Sequence, residues 1–481
     1  MELNRRNLFK TSMLAAGALT VGTPAVSLDA IEHKHSTKAG KAFDPSKEPK
    51  RVRKNFSDLT DEELRNLCRA IGYMRGNFPL EHVLQWDNYA RLHALHCTEV
   101  SSAHPAVHWS WNFLPWHRGY LYFLERILAN ILTTQFNIDG SRFALPYWDW
   151  SNREIPNTRE RKAAGLPSPF FGYDLAKENM VNADDLGFDN SALCEGNRGP
   201  SLQKPQMSPA NELSNDSKDH VLETLHYTSP EYISYMLAAP WEQFLGKPVT
   251  DRQTGQGLLE QGPHNDGHDW IGTRIGRNRT MGTLRSAAAD PMFYMHHGNI
   301  DRIFSLYNQP VPDLKGPWGD QQYNFLDVDG STITLSVREI MSKTANVSYA
   351  PGESAIQAPI RLLMAARPTT VSLMTQIESV PVTVLVPANF FGHDALLVDV
   401  QTGPIAYTGK YTIKVYANDR YLGKLKMLDG EHRAAYAKKD VTHTFSMLLT
   451  QLPRTGDSLT FVPPTRGAIR IQLRSLEYKL L

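Results

Sequence analysis

The sequence predicts a mainly α front domain, with a four-helix-bundle core and long loops, followed by an all-β C-terminal sandwich domain. Three observations lead to this fold class. Four stretches before residue 310 repeat apolar residues every three or four positions, the period of an amphipathic helix. Beyond residue 379, short runs alternate apolar and polar side chains between turn residues, as half-buried strands do. The chain of 481 residues also exceeds the size that one hydrophobic core usually serves.

The helical stretches carry recognisable start signals. Thr60 and Glu63 form a capping box that opens the first helix. Pro79 suits the first position of the second helix, and Asp290 suits the cap of the fourth. The third stretch covers residues 116–132. Four apolar faces of this kind can pack into one bundle.

The chain divides into further segments at changes of composition. Residues 57–345 are assigned to the front domain, residues 346–378 to a linker, and residues 379–481 to the β domain. In the β domain, residues 411–416 and 469–473 show the clearest alternation of apolar and polar side chains. Short strands of this kind, separated by turn residues, predict an antiparallel sandwich.

The N-terminus predicts an export signal over residues 1–30. Arg5 and Arg6 precede an apolar run at residues 13–21, and small residues follow, a pattern typical of the bacterial twin-arginine route. The protein is therefore expected in the periplasm or outside the cell. A basic start followed by an ordinary apolar helix is the alternative. The polar and basic residues 31–56 predict a flexible arm.

The overall composition excludes several classes of protein. A net charge of +1 provides no field to attract nucleic acid. No run of about 20 apolar residues predicts a membrane span. The 3 cysteines cannot build a disulfide scaffold, since at most one pair can form and one thiol is left over. The function must therefore be sought in particular side chains.

Histidines supply the main functional signal. Six of them lie in apolar or aromatic surroundings or in the motif HNDGH (264–268), in two groups of three: His93, His108 and His117, then His264, His268 and His297. A buried imidazole must hydrogen-bond or bind a metal, because an unsatisfied buried polar group is costly. One such histidine would be explained as a satisfied core residue. Two groups of three predict two metal ions.

The ligand type limits the metals. All-imidazole sites suit copper or zinc, whereas di-iron bundles use Glu-x-x-His ligands, and none of these six histidines stands in such a motif. The zinc-protease motif is also absent, because Asn265 and not Glu follows His264. Two copper ions with three imidazoles each would make a site for dioxygen. A zinc hydrolase stays open as an alternative.

The sequence resembles the type 3 copper family, which comprises tyrosinases, catechol oxidases and molluscan haemocyanins. The closing stretch GAIRIQLRSLEY also resembles the C-terminal domain of plant polyphenol oxidases. The family resemblance covers roughly residues 57–310, and it rests on four motifs: HALHC (93–97), VHWSWNFLPWHRGYLYFLERIL (107–128), ALPYWDW (144–150) and DPMFYMHHGNIDR (290–302).

The resemblance implies two copper ions and the residues that bind them. The family pattern takes the second histidine of the pair at 296–297, and Asp301, one helical turn beyond, could orient His297 as a hydrogen-bond acceptor. A salt bridge of Asp301 with Arg302 or another residue is an equal alternative. The implied ligands of the two coppers are His93, His108 and His117 for the first, and His264, His268 and His297 for the second.

The resemblance also gives Cys97 a role. Plant-like members join a Cys four residues after the first ligand to the second histidine through a thioether, and His93 and Cys97 match that spacing. A Cys97–His108 thioether is therefore expected, with a buried free thiol as the alternative. Whether Cys68 and Cys194 pair stays open.

Other positions bear on the reaction and on substrate access. In family members that hydroxylate monophenols, a Glu and an Asn at the positions of Glu260 and Asn265 hold a water that acts as a base. The alternative is that both are ordinary loop residues bonded to their own backbone. Leu284 stands where plant enzymes usually carry a Phe over the second copper, so a wider entrance is expected. Asp269 would place a carboxylate near the mouth.

These features predict an exported phenol oxidase that uses O₂. It would hydroxylate monophenols at the ortho position and oxidise o-diphenols to o-quinones. The alternatives are a catechol or o-aminophenol oxidase without useful hydroxylation, and more distantly a haemocyanin-like oxygen carrier. By resemblance, the C-terminal domain covers the copper site and keeps the enzyme latent until the linker is cut or the domain is displaced. A passive stabilising domain is the alternative.

Overall fold

The computed structural model describes the chain in separate stretches. They are residues 42–98, 106–151, 173–174, 179–180, 193, 227–248, 253–272, 281–350, 370–377, 382–385, 395–402, 411–427, 442–449, 458–462 and 469–476. The predicted export signal, the first part of the predicted arm and Cys194 lie outside them. Among the helices within these stretches, none is both long and apolar enough to cross a bilayer.

The front part of the chain is mainly helical, as predicted. Helix α3 packs against α1 and α7, and α1 packs against α2, so these four long helices surround one apolar core. The described α-helices are α1 (Asp61–Gly76), α2 (Trp86–Thr98), α3 (Phe113–Phe136), α4 (Pro230–Ala238), α5 (Trp241–Phe244), α6 (Asn265–Ile271), α7 (Met292–Leu306), α8 (Pro317–Asp320) and α9 (Val337–Lys343).

Two predicted helix starts are confirmed. At α1, the Thr60 side chain accepts from the Glu63 amide, and the Glu63 carboxylate accepts from the Thr60 amide. At α7, Asp290 Oδ1 accepts from the Met292 amide at 2.8 Å. Each contact satisfies backbone donors that the first helical turn would otherwise leave without a partner.

The predicted start of the second helix at Pro79 is wrong, because α2 begins at Trp86. Residues 79–85 form turns instead, in which the His82 amide donates to the Pro79 carbonyl. The Gln85 side chain then caps α2, since its Oε1 accepts from the Asp87 amide at 2.7 Å. A side chain at the helix start thus outweighs the preference of proline for a first helical turn.

The described residues of the C-terminal part form only strands and their turns, as predicted, and each of the predicted runs contains a strand. One sheet has the order β10-β15-β12-β13 and the other the order β4-β5-β14-β11-β16-β9. The described strands are β1 (Arg51–Arg53), β2 (Tyr173–Asp174), β3 (Asn179–Met180), β4 (Gly246–Lys247), β5 (Gln253–Gln256), β6 (Gln322–Leu326), β7 (Thr332–Ser336), β8 (Val347–Tyr349), β9 (Thr370–Ile377), β10 (Val382–Leu385), β11 (Ala395–Thr402), β12 (Tyr411–Ala417), β13 (Arg420–Met427), β14 (Thr442–Leu449), β15 (Ser458–Val462) and β16 (Ile469–Leu476).

The predicted flexible arm and the predicted linker both contain paired strands, so these two predictions are wrong in part. The linker predicted over 346–378 contains β8 and β9, and β9 pairs with β16. The arm predicted over 31–56 contains β1, which pairs in parallel with β8. The basic residues Arg51 and Arg53 are buried there, because the carboxylate of Glu125 lies beside both guanidiniums. Paired charges can be buried where isolated charges cannot.

The two parts of the chain share one sheet. Strands β4 and β5 belong to the front part, yet β5 pairs in parallel with β14 of the C-terminal part. The Tyr227 hydroxyl adds a second link, since it accepts from the Lys424 amide at 3.2 Å and donates to the Lys424 carbonyl at 3.1 Å. Leu448 on β14 also belongs to the main apolar core. The C-terminal domain is thus in contact with the segment that leads into HNDGH.

Candidate metal centre

The first group of three histidines comes from two helices and the loop between them. His93 lies on α2, His117 lies on the first turns of α3, and His108 lies in the loop before α3. All three are buried, with at most 3% of each side chain exposed. Their ring centroids form a triangle with sides of 5.5 Å (His93–His108), 5.5 Å (His93–His117) and 5.0 Å (His108–His117).

The second group lies on α6 and α7. The motif HNDGH begins in a π-helical turn over Glu260–His264 and continues into α6, so His264 and His268 lie on one short helix despite Pro263. Such π turns are frequent at functional sites. The ring centroids form a triangle with sides of 4.5 Å (His264–His268), 5.0 Å (His264–His297) and 5.4 Å (His268–His297).

The two groups face each other. The rings of His117 and His297 stack with centroids 4.2 Å apart, and those of His108 and His264 are 5.4 Å apart. Gly267 permits the close packing of α6 on α7, because a Cβ at this position would overlap the ring of His296. The structure therefore brings all six predicted histidines into one cluster of two triads.

Five of the six imidazoles are oriented by an acceptor at Nδ1. A ring nitrogen that donates a proton to an oxygen leaves the other nitrogen, Nε2, with a free lone pair, which fixes both the tautomer and the direction of the ligand atom. The acceptors are the carbonyl oxygens of Leu284 (for His93, 3.1 Å), Phe113 (His117, 2.7 Å) and Met281 (His268, 2.9 Å), and the side-chain oxygens of Glu260 (His108, 2.9 Å) and Asn265 (His264, 3.0 Å).

The Nε2 atoms of each triad point toward one another. Nε2 of His93 lies 3.3 Å from Nε2 of His108, and Nε2 of His268 lies 3.3 Å from Nε2 of His297. Within the described residues, Nε2 of His117 has no hydrogen-bond partner. His93 and His108 each have an acceptor at Nδ1, so their Nε2 lone pairs repel one another unless a cation lies between them. The converging imidazoles of both triads therefore offer a donor set that fits a metal ion.

The protonation of the histidines agrees with this fit. Burial lowers the pKa of His93, His117, His264 and His297 well below the usual value, and the neighbouring imidazoles lower it further. The rings are therefore neutral near pH 7. Neutral imidazole is the form that binds a metal.

His296 lies close enough to the second triad to be considered as a ligand. One of its ring nitrogens lies within 4.8 Å of a ring nitrogen of His264 and one of His268. Both nitrogens are engaged, however, because Nδ1 accepts from Trp150 Nε1 at 3.2 Å and Nε2 donates to the His264 carbonyl at 3.1 Å. His297 Nδ1 has no partner among the described residues, which leaves the His297 ring available.

Glu260 holds the loop that carries His108. Besides His108 Nδ1, its carboxylate accepts from the Trp109 amide, at 3.0 Å to Oε1 and 2.9 Å to Oε2, and from Gln256 Nε2 at 3.3 Å. Burial raises the pKa of Glu260 to about 8, and the contacts with Trp109 and Gln256 oppose this shift. Trp109 has a φ of 58°, which is uncommon for a bulky residue, and the Glu260 contact stabilises this turn.

Cys97 lies within the first triad. Its Sγ is 3.2 Å from His93 Nε2, and the donor atoms of Cys97, His93 and His108 lie within 4.8 Å of one another. Cys97 forms no disulfide and is fully buried. The sulfur is thus close to the imidazole that the predicted thioether requires, and that bond stays a prediction.

Asp301 does not orient His297, so this predicted role is wrong. Its carboxylate accepts from Arg118 Nε at 2.7 Å, from the Tyr349 hydroxyl at 2.5 Å and from Arg53 Nη1 at 3.3 Å. No hydrogen bond to His297 occurs in the described part of the chain. Two guanidiniums bind a carboxylate more strongly than a neutral imidazole does, so the alternative of a salt bridge is confirmed.

The two predicted access residues are both buried. Leu284 is 1% exposed, and its carbonyl oxygen accepts a hydrogen bond from His93 Nδ1. Asp269 is 8% exposed. Their effect on substrate choice stays a prediction. Backbone acceptors such as Leu284 and Met281 carry no signature in the sequence, and only the fold reveals them.

Comparison with known proteins agrees with this centre. Residues 83–310 match the family model described as the common central domain of tyrosinase. Residues 83–310 therefore form a domain of the tyrosinase family. Catechol oxidase B of Solanum tuberosum is 30% identical over 322 residues, and polyphenol oxidase E of Solanum lycopersicum is 31% identical over 286 residues. These matches cover 63% and 56% of this chain, and 48% and 43% of the plant proteins.

Solved structures share the fold of this chain. A latent aurone synthase (polyphenol oxidase) superposes with a TM-score of 0.65 at 21% identity, over 92% of this chain and 93% of the other. A latent apple tyrosinase gives a TM-score of 0.59 at 19% identity, over 92% and 100% of the two chains. The similarity extends beyond the tyrosinase domain. The chain spans about half the length of the curated plant relatives.

Proposed function

We propose that this protein is a copper-dependent phenol oxidase that uses O₂. The observation that carries the proposal is the convergence of the Nε2 atoms in two triads, with two Nε2···Nε2 distances of 3.3 Å. His93, His108 and His117 would hold one copper, and His264, His268 and His297 the other. The chemistry that a copper pair supplies is the binding of O₂ and its reduction by electrons from the phenol.

The reaction that this centre supports best is the oxidation of an o-diphenol. Each o-diphenol loses two electrons and two protons to become an o-quinone, and two such oxidations reduce one O₂ to two water molecules. The protein keeps the triads dry and fixed for this task. Phe113 contacts both His117 and His264, and Phe293 contacts both His93 and His297, so each phenylalanine bridges the two triads.

Hydroxylation of monophenols is part of the proposal. A phenol has a pKa near 10, like tyrosine, so a base must take its proton at neutral pH. Glu260 and Asn265 support such a role, because each lies beside one triad and both are buried. In this proposal Glu260 orients His108 and also, with Asn265, holds the water that accepts the proton. A catechol or o-aminophenol oxidase is the outcome if that water is not held.

Latency and export complete the proposal. The pairing of β14 with β5 supports a C-terminal domain that docks beside the centre and limits access until it is displaced. Proteolysis between the domains would then activate the enzyme. We further propose that Arg5 and Arg6 direct twin-arginine export, which carries folded proteins and so suits a metalloenzyme.

Metal analysis and oxygen uptake test the function. The purified chain should contain two copper ions and should consume O₂ with dopamine, faster after limited proteolysis, and with tyramine if monophenols are hydroxylated. Uptake with dopamine alone would restrict the function to diphenol oxidation. Reversible oxygenation without quinone, even after proteolysis, would indicate an oxygen carrier. Bound zinc and activity without O₂ would overturn the assignment.

A further inference from the structure

Strand β5 lies between the C-terminal domain and the metal centre. On one side, its backbone pairs in parallel with β14, from Gln253 opposite Thr442 to Gln256 opposite Phe445. The strands touch so closely that a Cβ at Gly255 would overlap the carbonyl oxygen of Thr444. Any added side chain at Gly255 must therefore push β14 away from β5.

Through hydrogen bonds to Trp109, β5 also holds the turn that carries His108. The Gly255 amide donates to the Trp109 carbonyl at 2.8 Å, and the Thr254 hydroxyl donates to the same oxygen. Trp109 thus has its carbonyl fixed by β5 and its amide fixed by Glu260. A bulky residue with positive φ persists only where the surrounding contacts over-determine it.

The last residue of β5 reaches the same turn by a second route. Gln256 Nε2 donates to Glu260 Oε1 at 3.3 Å, and this oxygen also accepts from His108 Nδ1 at 2.9 Å. Gln256 is buried, as are Glu260 and His108. From β14 to the first triad the structure therefore shows a continuous series of backbone and side-chain hydrogen bonds.

We propose that β5 couples docking of the C-terminal domain to the geometry of the first triad. While β14 pairs with β5, the Trp109 turn is held and His108 is fixed. When the C-terminal domain leaves, β5 becomes an edge strand, and the His108 turn loosens as access opens. The inference deepens the proposed latency, and it rests on the proposed copper centre only for its effect on metal binding. A perturbation at β5 should therefore appear both at β14 and at the His108 turn.

Hydrogen exchange on the full-length chain measures the effect both at β14 and at the His108 turn. Gly255→Val should speed the exchange of amides in β14 and in residues 108–111 by about tenfold or more, because both segments lose a bonded neighbour. Gly76→Ala is the matched control, since a Cβ at Gly76 meets nothing within 4 Å. Slow exchange at residues 108–111 in a Gly255→Val protein whose β14 exchanges fast would overturn the coupling. Gly255→Ala supplies a milder variant if the valine protein does not fold.

A disulfide tests the pairing from the opposite direction. The double variant Gln253→Cys/Thr442→Cys should form a cross-link, because the two residues are paired across β5 and β14. The control Gln253→Cys/Thr402→Cys should not, because Thr402 lies on β11, one strand beyond β14, and strands are about 4.8 Å apart. In the cross-linked protein, exchange at residues 108–111 should be slower until the disulfide is reduced. Unchanged exchange there, with the cross-link verified by mass spectrometry, would refute the proposal.

These measurements are independent of phenol oxidation. If the exchange pattern holds but the protein binds no copper, the proposed function fails and the coupling stands. If copper and activity are found but exchange at residues 108–111 does not change when the pairing of β14 changes, the coupling fails and the function stands. A copper-loaded Gly255→Val protein should also lose metal to a chelator faster than the Gly76→Ala control does.

Discussion

Oε1 of Glu260 accepts a hydrogen bond from Nδ1 of His108 at 2.9 Å, between residues 152 positions apart in the chain. The contact assigns Glu260 a positioning role that its proposed part in proton transfer does not require. The two roles can be separated by substitution, because glutamine keeps an oxygen acceptor while alanine removes it.

Glu260→Gln should retain two copper ions and diphenol oxidation, while monophenol hydroxylation falls by about 10²-fold or more, the scale of general-base catalysis. Glu260→Ala should lose copper from the first triad, because buried donors of His108 and Trp109 then lack an acceptor, at about 1–3 kcal/mol each. Copper analysis and oxygen uptake with dopamine and tyramine separate these results. Equal loss of both activities in Glu260→Gln, with copper retained, would argue against a specific role in monophenol chemistry.

The neighbouring residues His296 and His297 should respond differently to alanine substitution. His297→Ala should reduce the copper content from two ions to one, because it removes a donor atom from the second triad. His296→Ala should leave two copper ions but destabilise the fold by roughly 3 kcal/mol, because Trp150 and the His264 carbonyl lose their buried partner. Copper analysis and denaturant unfolding measure the two effects. Loss of copper in His296→Ala with His297→Ala unaffected would reverse the assignment.

Asp301→Asn should destabilise the protein without removing copper. The substitution leaves Arg53 and Arg118 facing a neutral group in a buried ion cluster, which costs about 3–5 kcal/mol. Glu62→Gln is the control, because it makes the same charge change at an exposed pair with Arg65 and should cost less than about 1 kcal/mol. Guanidinium unfolding and copper content are the measurements. A loss of one copper with unchanged stability would restore the role of Asp301 in orienting His297.

The Cys97–His108 thioether predicts a measurable mass change. Formation of the carbon–sulfur bond removes two hydrogens, which O₂ accepts to become hydrogen peroxide. After denaturation and removal of copper, the polypeptide from copper-loaded, oxygenated protein should therefore be lighter than that from the apoprotein by two hydrogen masses. Cys97→Ser should abolish the difference and the cross-linked peptide. Peptide mapping after denaturation checks both. Full alkylation of Cys97 in copper-loaded, oxygenated protein would show that the thiol stays free.

Much of the fold could be predicted because local patterns and tertiary packing agree. The capping box at Thr60 marks the start of the first bundle helix, and the alternation at residues 411–416 marks a strand. The two groups of histidines were visible because imidazoles are rare on apolar helix faces. The structure then supplied what spacing alone could not, namely the acceptor at Nδ1 of each of five rings.

The predictions fail where residues distant in the sequence determine the interaction partners of a side chain. Arg51 and Arg53 are typical of a solvated arm until Glu125 is placed beside them. Asp301 lies one turn from His297, yet its stronger partners come from β1, α3 and β8. Pro79 is a good first residue for a helix, but the Gln85 side chain caps the helix seven residues later. No local signal in the sequence reports such partners.

The parallel pairing of β1 with β8 joins the two ends of the helical region. Because these strands bracket the bundle, residues 51–349 form a chain whose ends are held together by its own backbone. Removal of the C-terminal domain therefore need not leave a loose end beside the metal centre, provided that the cut falls after Tyr349. A cut before β8 would also remove the pairing partner of β1, the strand that carries Arg53. The position of the break, and not only its occurrence, would decide whether an activated enzyme is also a durable one.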